Sequence, residues 1–280
     1  MVRPAAYREA VGLVTKELNL SVRRTCRALG FSRSSWNYKS RRAPQKELVA
    51  RLRALASKRK RWGYRMLHAL LRREGRAINH KRVYRLYCLE GLAVRHKARK
   101  RMARGPRVVP PLPTRPNERW SMDFVSDFTW SGRRYRILVV IDEFTREALA
   151  LIVDSSFSGA RVGRELDVIA AARGFPTASV VDNGPEFTSK ALDAWAYRTG
   201  VELDFIRPGK PVDNAFVESF NGKLRNECLN QHWFHDLDEV REIVEAWRID
   251  FNTVRPHSSL DGMTPSEYAI ANRGLSAKAV

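Results

Sequence analysis

The chain has 280 residues, 44% of them hydrophobic, with 51 Lys+Arg against 30 Asp+Glu for a net charge of +21. That length allows two or three domains with real cores. No apolar run approaches the ~18–20 residues that span a bilayer, and the opening MVRPAAYREAVG lacks the apolar centre of a signal peptide. The three cysteines, Cys26, Cys88 and Cys228, are isolated, which argues for a reducing compartment and against a disulfide framework. His232 and His235 form one close pair, but no Cys-x-x-Cys accompanies them to complete a zinc site. A cytoplasmic protein without a membrane partner is expected.

The charge is unevenly placed. Residues 1–116 hold 32 Lys+Arg against 5 Asp+Glu, and residues 117–280 hold 19 against 25. A front this basic attracts a polyanion, ordinarily DNA or RNA.

In chain order, residues 4–18 read as a helix that Pro4 can open. Ser21 and Ser32 are good N-caps for two short helices, with Gly30 at the turn between them and Val22, Cys26 and Leu29 facing inward. This is a helix-turn-helix pattern over residues 1–43, and its second helix would present Arg33 to DNA. A second basic unit follows over 44–105. Leu48, Leu52, Leu55 and Ala56 recur at helical spacing, and Trp62–Gly75 forms a further helix stopped by Gly75. Asn79 caps a helix whose Val83, Leu86, Tyr87 and Glu90 share a stripe, while Lys81, Arg82 and Arg85 lie elsewhere and are expected to meet DNA. Pro106, Pro110, Pro111, Pro113 and Pro116 make residues 106–116 a semi-rigid linker, and the main domain boundary is placed there.

From residue 117 to 280 the pattern is α/β. Strands are expected over 120–128, 136–141, 148–153, 179–181 and 201–205, with helices over 158–172, 189–198, 212–229 and 237–251. Three hairpin-like strands followed by β-α-β imply one mixed five-stranded sheet flanked by helices.

Three acids stand out. Asp123 lies inside a strand, where carboxylates are depleted. Asp182 ends another in VVDNGPEF, although Asp before Asn-Gly-Pro is ordinarily a turn former. If these strands are neighbours, the two acids converge at one edge of the sheet. Glu218 lies on a helix whose Phe216, Phe220, Leu224 and Cys228 make an apolar face, with Glu218, Asn221 or Gly222, and Arg225 on the other side and Asn214 one turn before. Mg²⁺ is a hard ion that takes carboxylate, phosphate and water oxygens, and two such ions ~3.5–4 Å apart can serve both the attacking and the leaving oxygen of a phosphodiester. Without metal, three neighbouring carboxylates repel.

Asp182 and Glu218 are separated by 35 intervening residues, within DNGPEF and PGKPVDNAFVESFNGKLRNE. This resembles the acidic core of retroviral-integrase-type recombinases, and more closely the second-frame (OrfB-type) transposases of bacterial insertion sequences. WGYRMLHALLRREG, NHKRVYRLY and FNTVRPHSSLDGMTP extend the resemblance over essentially the whole chain. It implies a ribonuclease-H-like fold preceded by all-α helix-turn-helix units. Asp123, Asp182 and Glu218 would be the catalytic and metal-binding triad for two Mg²⁺ ions, with Mn²⁺ able to substitute, and Arg225 the accompanying basic residue. It further implies a bacterial, nucleoid-associated transposase acting on double-stranded element ends and target, through a circular intermediate. Its partners would be an upstream-frame protein and further copies of itself on DNA. Nothing here builds the His-His-Cys-Cys zinc domain of the retroviral enzymes.

Smaller candidates surround the triad. Asn183 could orient a ligand or form a plain turn, and Asn214 would support the helix start. Lys210 and Lys223 flank the Glu218 helix and would meet DNA or solvent. Glu186 reads as a helix-start charge rather than an extra ligand, Asp127 and Asp142 as turn or strand-end residues, and His257 as a capping residue, with an approach to DNA near the site as its alternative. Gly209-Lys210 is no phosphate loop, because the upstream glycine is missing. Two other functions share these residues: a ribonuclease-H-like nuclease or resolvase without strand transfer, and a DNA-binding regulator with an inactive core.

Overall fold

The computed structural model describes residues 4–38, 45–94, 111–207 and 214–275. Lys210 and residues 106–110 of the expected linker lie outside them. The chain forms two compact units, residues 1–48 and 49–280.

In the first unit, α1 (Pro4–Glu17), α2 (Val22–Ala28) and α3 (Arg33–Asn37) follow one another as expected. Ser21 accepts the Arg24 amide and so caps α2. Ser32 occupies the cap position of α3 without a capping bond; its hydroxyl pairs with Ser34 at 2.7 Å instead. Gly30 takes φ +61°, the left-handed turn conformation that glycine adopts without strain. Thr25, fully buried beside Cys26, hydrogen-bonds Thr15 across the helices at 3.2 Å.

The boundary falls inside α4 (Lys46–Lys58), which is followed in the second unit by α5 (Tyr64–Arg73) and α6 (His80–Leu89). Asn79 caps α6 through the Lys81 amide at 2.8 Å. Leu67, Leu71, Val83, Leu86 and Tyr87 are buried, whereas Lys81, Arg82 and Arg85 are exposed. These helices are joined to the rest of the unit by polar contacts. Arg59 pairs with Asp250, Trp62 Nε1 donates to Glu227 Oε2 at 3.1 Å, and Arg73 Nη2 donates to Glu267 Oε2 at 2.6 Å.

The sheet comprises β1 (Arg119–Phe128), β2 (Arg134–Asp142), β3 (Ala148–Asp154), β4 (Ala178–Val181) and β5 (Glu202–Phe205), in the order β3-β2-β1-β4-β5. The first three strands pair antiparallel, while β4 runs parallel to β1 and β5. Helices α7 (Gly159–Arg173) and α8 (Lys190–Thr199) cover one face, and α9 (Ala215–Glu227) and α10 (Leu237–Thr253) cover the other. The period of two along the strands decides which side chain meets which layer. Trp120, Met122, Leu138 and Val140 pack with α7 and α8; Val125, Ile137, Val139 and Ile141 pack with α9 and α10. Both faces of this central sheet are therefore dry, which is why β2 reads as a continuous apolar run.

A further helix, α11 (Pro265–Ala271), follows α10. Thr264 and Glu267 form a reciprocal capping box around Pro265 at its first position.

The β2–β3 register shifts between Val140 and Ile141. There Asn252 of α10, 7% exposed, accepts the Ala148 amide and donates to the Ala148 carbonyl, both at 2.9 Å. A buried backbone group left unpaired costs about 1–3 kcal/mol. The Ala148 carbonyl keeps its bond from Arg248 Nη1 at 3.0 Å, so Asn252→Ala strands the amide alone and is expected to destabilise the protein by about 1–3 kcal/mol, read as a lower denaturant midpoint with an unchanged slope.

Candidate active site

The two sheet acids are aimed by strand parity. Asp123 shares its face with Val125, so it points toward α9 and α10 and away from the Trp120 and Met122 core. Val181 belongs to the α7–α8 core, so Asp182, the next residue, turns to the opposite side. β1 and β4 are paired at Ser121 with Val180. Continuing that parallel register by two residues sets Asp123 beside Asp182. Glu218 lies in the first turn of α9, exposed, where the helix dipole favours negative charge.

Asp123 and Asp182 are half-buried, whereas Glu218 is exposed; Asp123 is the most heavily hydrogen-bonded of the three. Its Oδ1 accepts the Phe124 amide and its Oδ2 accepts Asn221 Nδ2, both at 2.7 Å. Burial raises its carboxyl to about 6; the Phe124 amide opposes the rise, and the negative charges of Asp182 and Glu218 add to it. Asp182 Oδ1 accepts the Gly184 amide at 2.9 Å, which closes the loop as an Asx turn. A Cβ on residue 184 would stand 2.9 Å from that same oxygen, so only glycine fits there without moving the carboxylate.

The surroundings are rich in oxygen and poor in donors. Asn214, 4% exposed at the start of α9, donates to the Met122 carbonyl at 3.0 Å and so ties the helix to β1 beside Asp123. Its Oδ1 and that of Asn221 are both buried without a donor. Such a donor set suits a hard, hydrated cation. Among the described residues, however, no three Asp, Glu, His or Cys side chains are gathered into a closed metal cage. The acids are thus electrostatic neighbours rather than a preassembled cluster, as like charges without a counter-ion require.

Other candidates are placed as follows. Arg225 shares the Glu218 stripe, is exposed, and donates to the Ser126 carbonyl at 3.1 Å with Asp127 3.9 Å away. Asn183 donates to the Ile206 carbonyl at 2.9 Å, so its amide tethers the loop to the end of β5. Glu186 precedes α8 and pairs with Arg136, whose guanidinium lies 4.1 Å from the Phe124 ring centroid. Asp142 caps its turn through the Phe144 and Thr145 amides at 2.8 and 2.9 Å. Arg33 is exposed at the start of α3. Lys223 does not lie on the Glu218 stripe. Five residues correspond to about 140° around a helix, and Lys223 is half-buried on the other flank of α9. Asn221, expected with Gly222 as an alternative on the polar side of α9, is the residue of that pair that reaches Asp123, and Arg136 is the site neighbour that sequence reasoning did not single out.

A carboxyl raised from 3.8 to about 6 binds its proton more tightly in the folded than in the unfolded chain. It therefore favours the fold at low pH, and that contribution is lost as pH rises from about 4 through 6. Asp123→Asn removes the titrating group, and its amide can donate to the partnerless Asn221 Oδ1. The metal-free variant is expected to be more stable than the parent at pH 8, by about 1–2 kcal/mol, and to converge with it near pH 4. Thermal melts across that range check this.

Residues 113–211 and 199–265 match the Integrase core domain family, and residues 44–101 match the HTH-like domain family. The chain is 50% identical over 261 residues to the uncharacterized 31.7 kDa protein of insertion element IS407 from Burkholderia multivorans, covering 93% of this chain and 94% of that protein. It is 45% identical to the uncharacterized 39.2 kDa protein of IS476 from Xanthomonas euvesicatoria, over 95% and 77% of the two chains. The transposase for IS904 of Lactococcus lactis is 28% identical over 81% of this chain and 97% of its own. Among solved structures, a chain of the simian T-cell lymphotropic virus intasome superposes with a TM-score of 0.51 at 17% identity, over 78% and 74% of the two chains. That likeness concerns the fold, which is ribonuclease-H-like. With half of its residues identical to an insertion-element protein of nearly the same extent, the chain belongs to the insertion-sequence transposases that carry an integrase core.

Proposed function

We propose that this chain is a DNA transposase, a polynucleotidyl transferase of the three-carboxylate type, with Asp123, Asp182 and Glu218 as its catalytic and metal-holding residues. The observation that carries this reading is the position of Asp123. It is a half-buried carboxyl on the central strand of the sheet, raised by its surroundings, and lies in the field of two further acids contributed by a strand end and a helix. No cation among the described side chains pairs with it, and two nearby amide oxygens lack donors.

The three acids would hold up to two Mg²⁺ ions, with Mn²⁺ an acceptable substitute. When bound, the metal supplies Lewis-acid stabilisation of the attacking and leaving oxygens. Asp123 is held in place by the Phe124 amide and Asn221, Asp182 by the Gly184 amide, and the Glu218 helix by the bond from Asn214 to Met122. Asn183 acts further out, by anchoring the loop that carries Asp182. In the first step a water oxygen attacks a phosphodiester phosphorus at the element end and the P–O3′ bond breaks, leaving a 3′-OH and a 5′-phosphate. In the second, that 3′-OH attacks a phosphorus of the target strand, a new P–O3′ bond forms, and the target's own 3′ oxygen departs with a proton.

DNA would be held by Arg225 beside the acids and by the exposed Arg33, Lys81, Arg82 and Arg85 of the helical units, with Lys210 extending the surface. We assign residues 1–43 and 44–105 to two helix-turn-helix-like modules, 106–116 to a linker, and 117–280 to the catalytic core with its helical extension. Assembly on DNA would involve further copies of the chain and an upstream-frame partner, in the bacterial cytoplasm at the nucleoid.

The test is a Mg²⁺-dependent cleavage and strand-transfer assay on DNA carrying the sequences that flank the gene, with and without the upstream-frame protein. Asp182→Asn is expected to slow both steps by about a thousandfold, the equivalent of several kcal/mol of transition-state stabilisation. Cleavage without joined products would point instead to a nuclease. Full activity in the variant would remove Asp182 from the chemistry.

A further inference from the structure

Helix α9 carries chemistry on two flanks. One flank holds Asn214, Glu218, Asn221 and Arg225. The other, roughly half a turn away, holds Phe216, Ser219 and Lys223, and it borders a separate cavity of about 280 Å³. Arg146 from the β2–β3 turn and His257 from the segment after α10 line the remaining walls.

The polar groups of this cavity have one character. Arg146 lies with its guanidinium carbon 3.9 Å from the Phe216 ring centroid, and its Nη1 is buried without a partner. His257 is 5% exposed, lines the cavity, and packs edge-on against Phe251 with centroids 4.7 Å apart; its Nε2 is also buried without a partner. Lys223 is half-buried and forms no ion pair among the described residues. Arg255 adds its positive field to both Lys223 and His257.

The acids in reach are already committed. Glu227 accepts Arg255 Nη2 and Nε at 2.6 and 2.8 Å and also takes the Trp62 indole. Glu143 is engaged by Arg119 and Ser121, and Asp142 by three backbone amides. Cations that crowd a part-buried cavity and lower one another's affinity for protons are costly unless an anion joins them.

We propose that this cavity is an oxyanion site that takes a phosphate group, with Lys223 and Arg146 as its charged ligands. The source favoured by position is the DNA backbone. The cavity is on the order of 10 Å, one helix diameter, from the flank that bears Glu218, so a strand lying over the start of α9 can reach both. The proposal does not depend on the roles given to the three acids. It also gives Lys223 a binding role distinct from that of Arg225.

The experiment compares the full-length protein with Lys223→Met and Arg146→Gln by two readouts. The first is thermal unfolding in inorganic phosphate against chloride of equal ionic strength. The second is the salt dependence of affinity for a duplex oligonucleotide. Wild type is expected to gain about 2 °C in phosphate, and each variant to lose that gain. Lys223→Met should also reduce the slope of log affinity against log salt by about 1. It should melt in chloride no lower than wild type, because it removes a partly buried charge. Loss of the phosphate effect with the reduced slope assigns the site to DNA phosphate. Loss of the effect with an unchanged slope assigns it to free phosphate. An absent phosphate effect in wild type, or one retained in both variants, overturns the oxyanion site.

Discussion

Carboxylates placed together in a poorly solvated corner repel one another, and the centre of this protein is organised around that fact. Asp123 is disfavoured as an anion by burial before any neighbour is counted, and Asp182 and Glu218 make it worse. A fold tolerates such a corner only if protons, donors or a cation compensate. Here two neutral donors, the Phe124 amide and Asn221, do part of that work. The residual deficit is what a divalent cation would offset in the function proposed above. The same repulsion accounts for acids that share a field without forming a closed cage among the described residues.

The scaffold carries this strain on rigid elements. β1 is the centre of a five-stranded sheet, paired on both sides and packed on both faces, so Asp123 cannot drift. Asp182 leaves β4 through a loop whose geometry depends on a glycine at 184. Glu218 rides on α9, which is fixed to β1 by Asn214 and to the apolar layer by Val217, Phe220 and Leu224. α9 also separates two electrostatic environments, a negative one beside the sheet edge and a positive one around Lys223, Arg146 and His257. A strand of DNA crossing its start would meet the three acids on one flank and cations on the other.

Much of this was legible in the residues. Strands and helices followed from periodicity because both faces of the sheet are dry and each helix has one apolar stripe. The adjacency of the Asp123 and Asp182 strands stood only as a condition in the residues, because the β-α-β order leaves open which strand the fourth one joins; the pairing of β1 with β4 meets that condition. α11 was not assigned to residues 265–271, although Thr264-Pro-Ser-Glu267 spells a capping box; the signal is short and was available. The flank of Lys223 could also have been read from its 140° separation from Glu218. The pairing of Arg136 with Glu186 and the bond from Asn221 to Asp123 could not, because they join residues 50 and 98 positions apart. Such contacts depend on how strands and helices stack and leave no local pattern. Asn183 illustrates the same limit: Asn-Gly marks a turn, but only the closing of β5 beside β4 decides that its amide binds Ile206.

The central claim is that three acids from three separate elements act as one metal site. Mn²⁺ binding, followed by loss of the free-ion electron paramagnetic resonance signal, tests it directly on the full-length protein and on Asp123→Asn, Asp182→Asn and Glu218→Gln. Saturable binding in the parent, weakened at least tenfold by each of the three substitutions while the fold is retained, is the predicted result. Binding that persists unchanged in any one of the three would contradict a shared site.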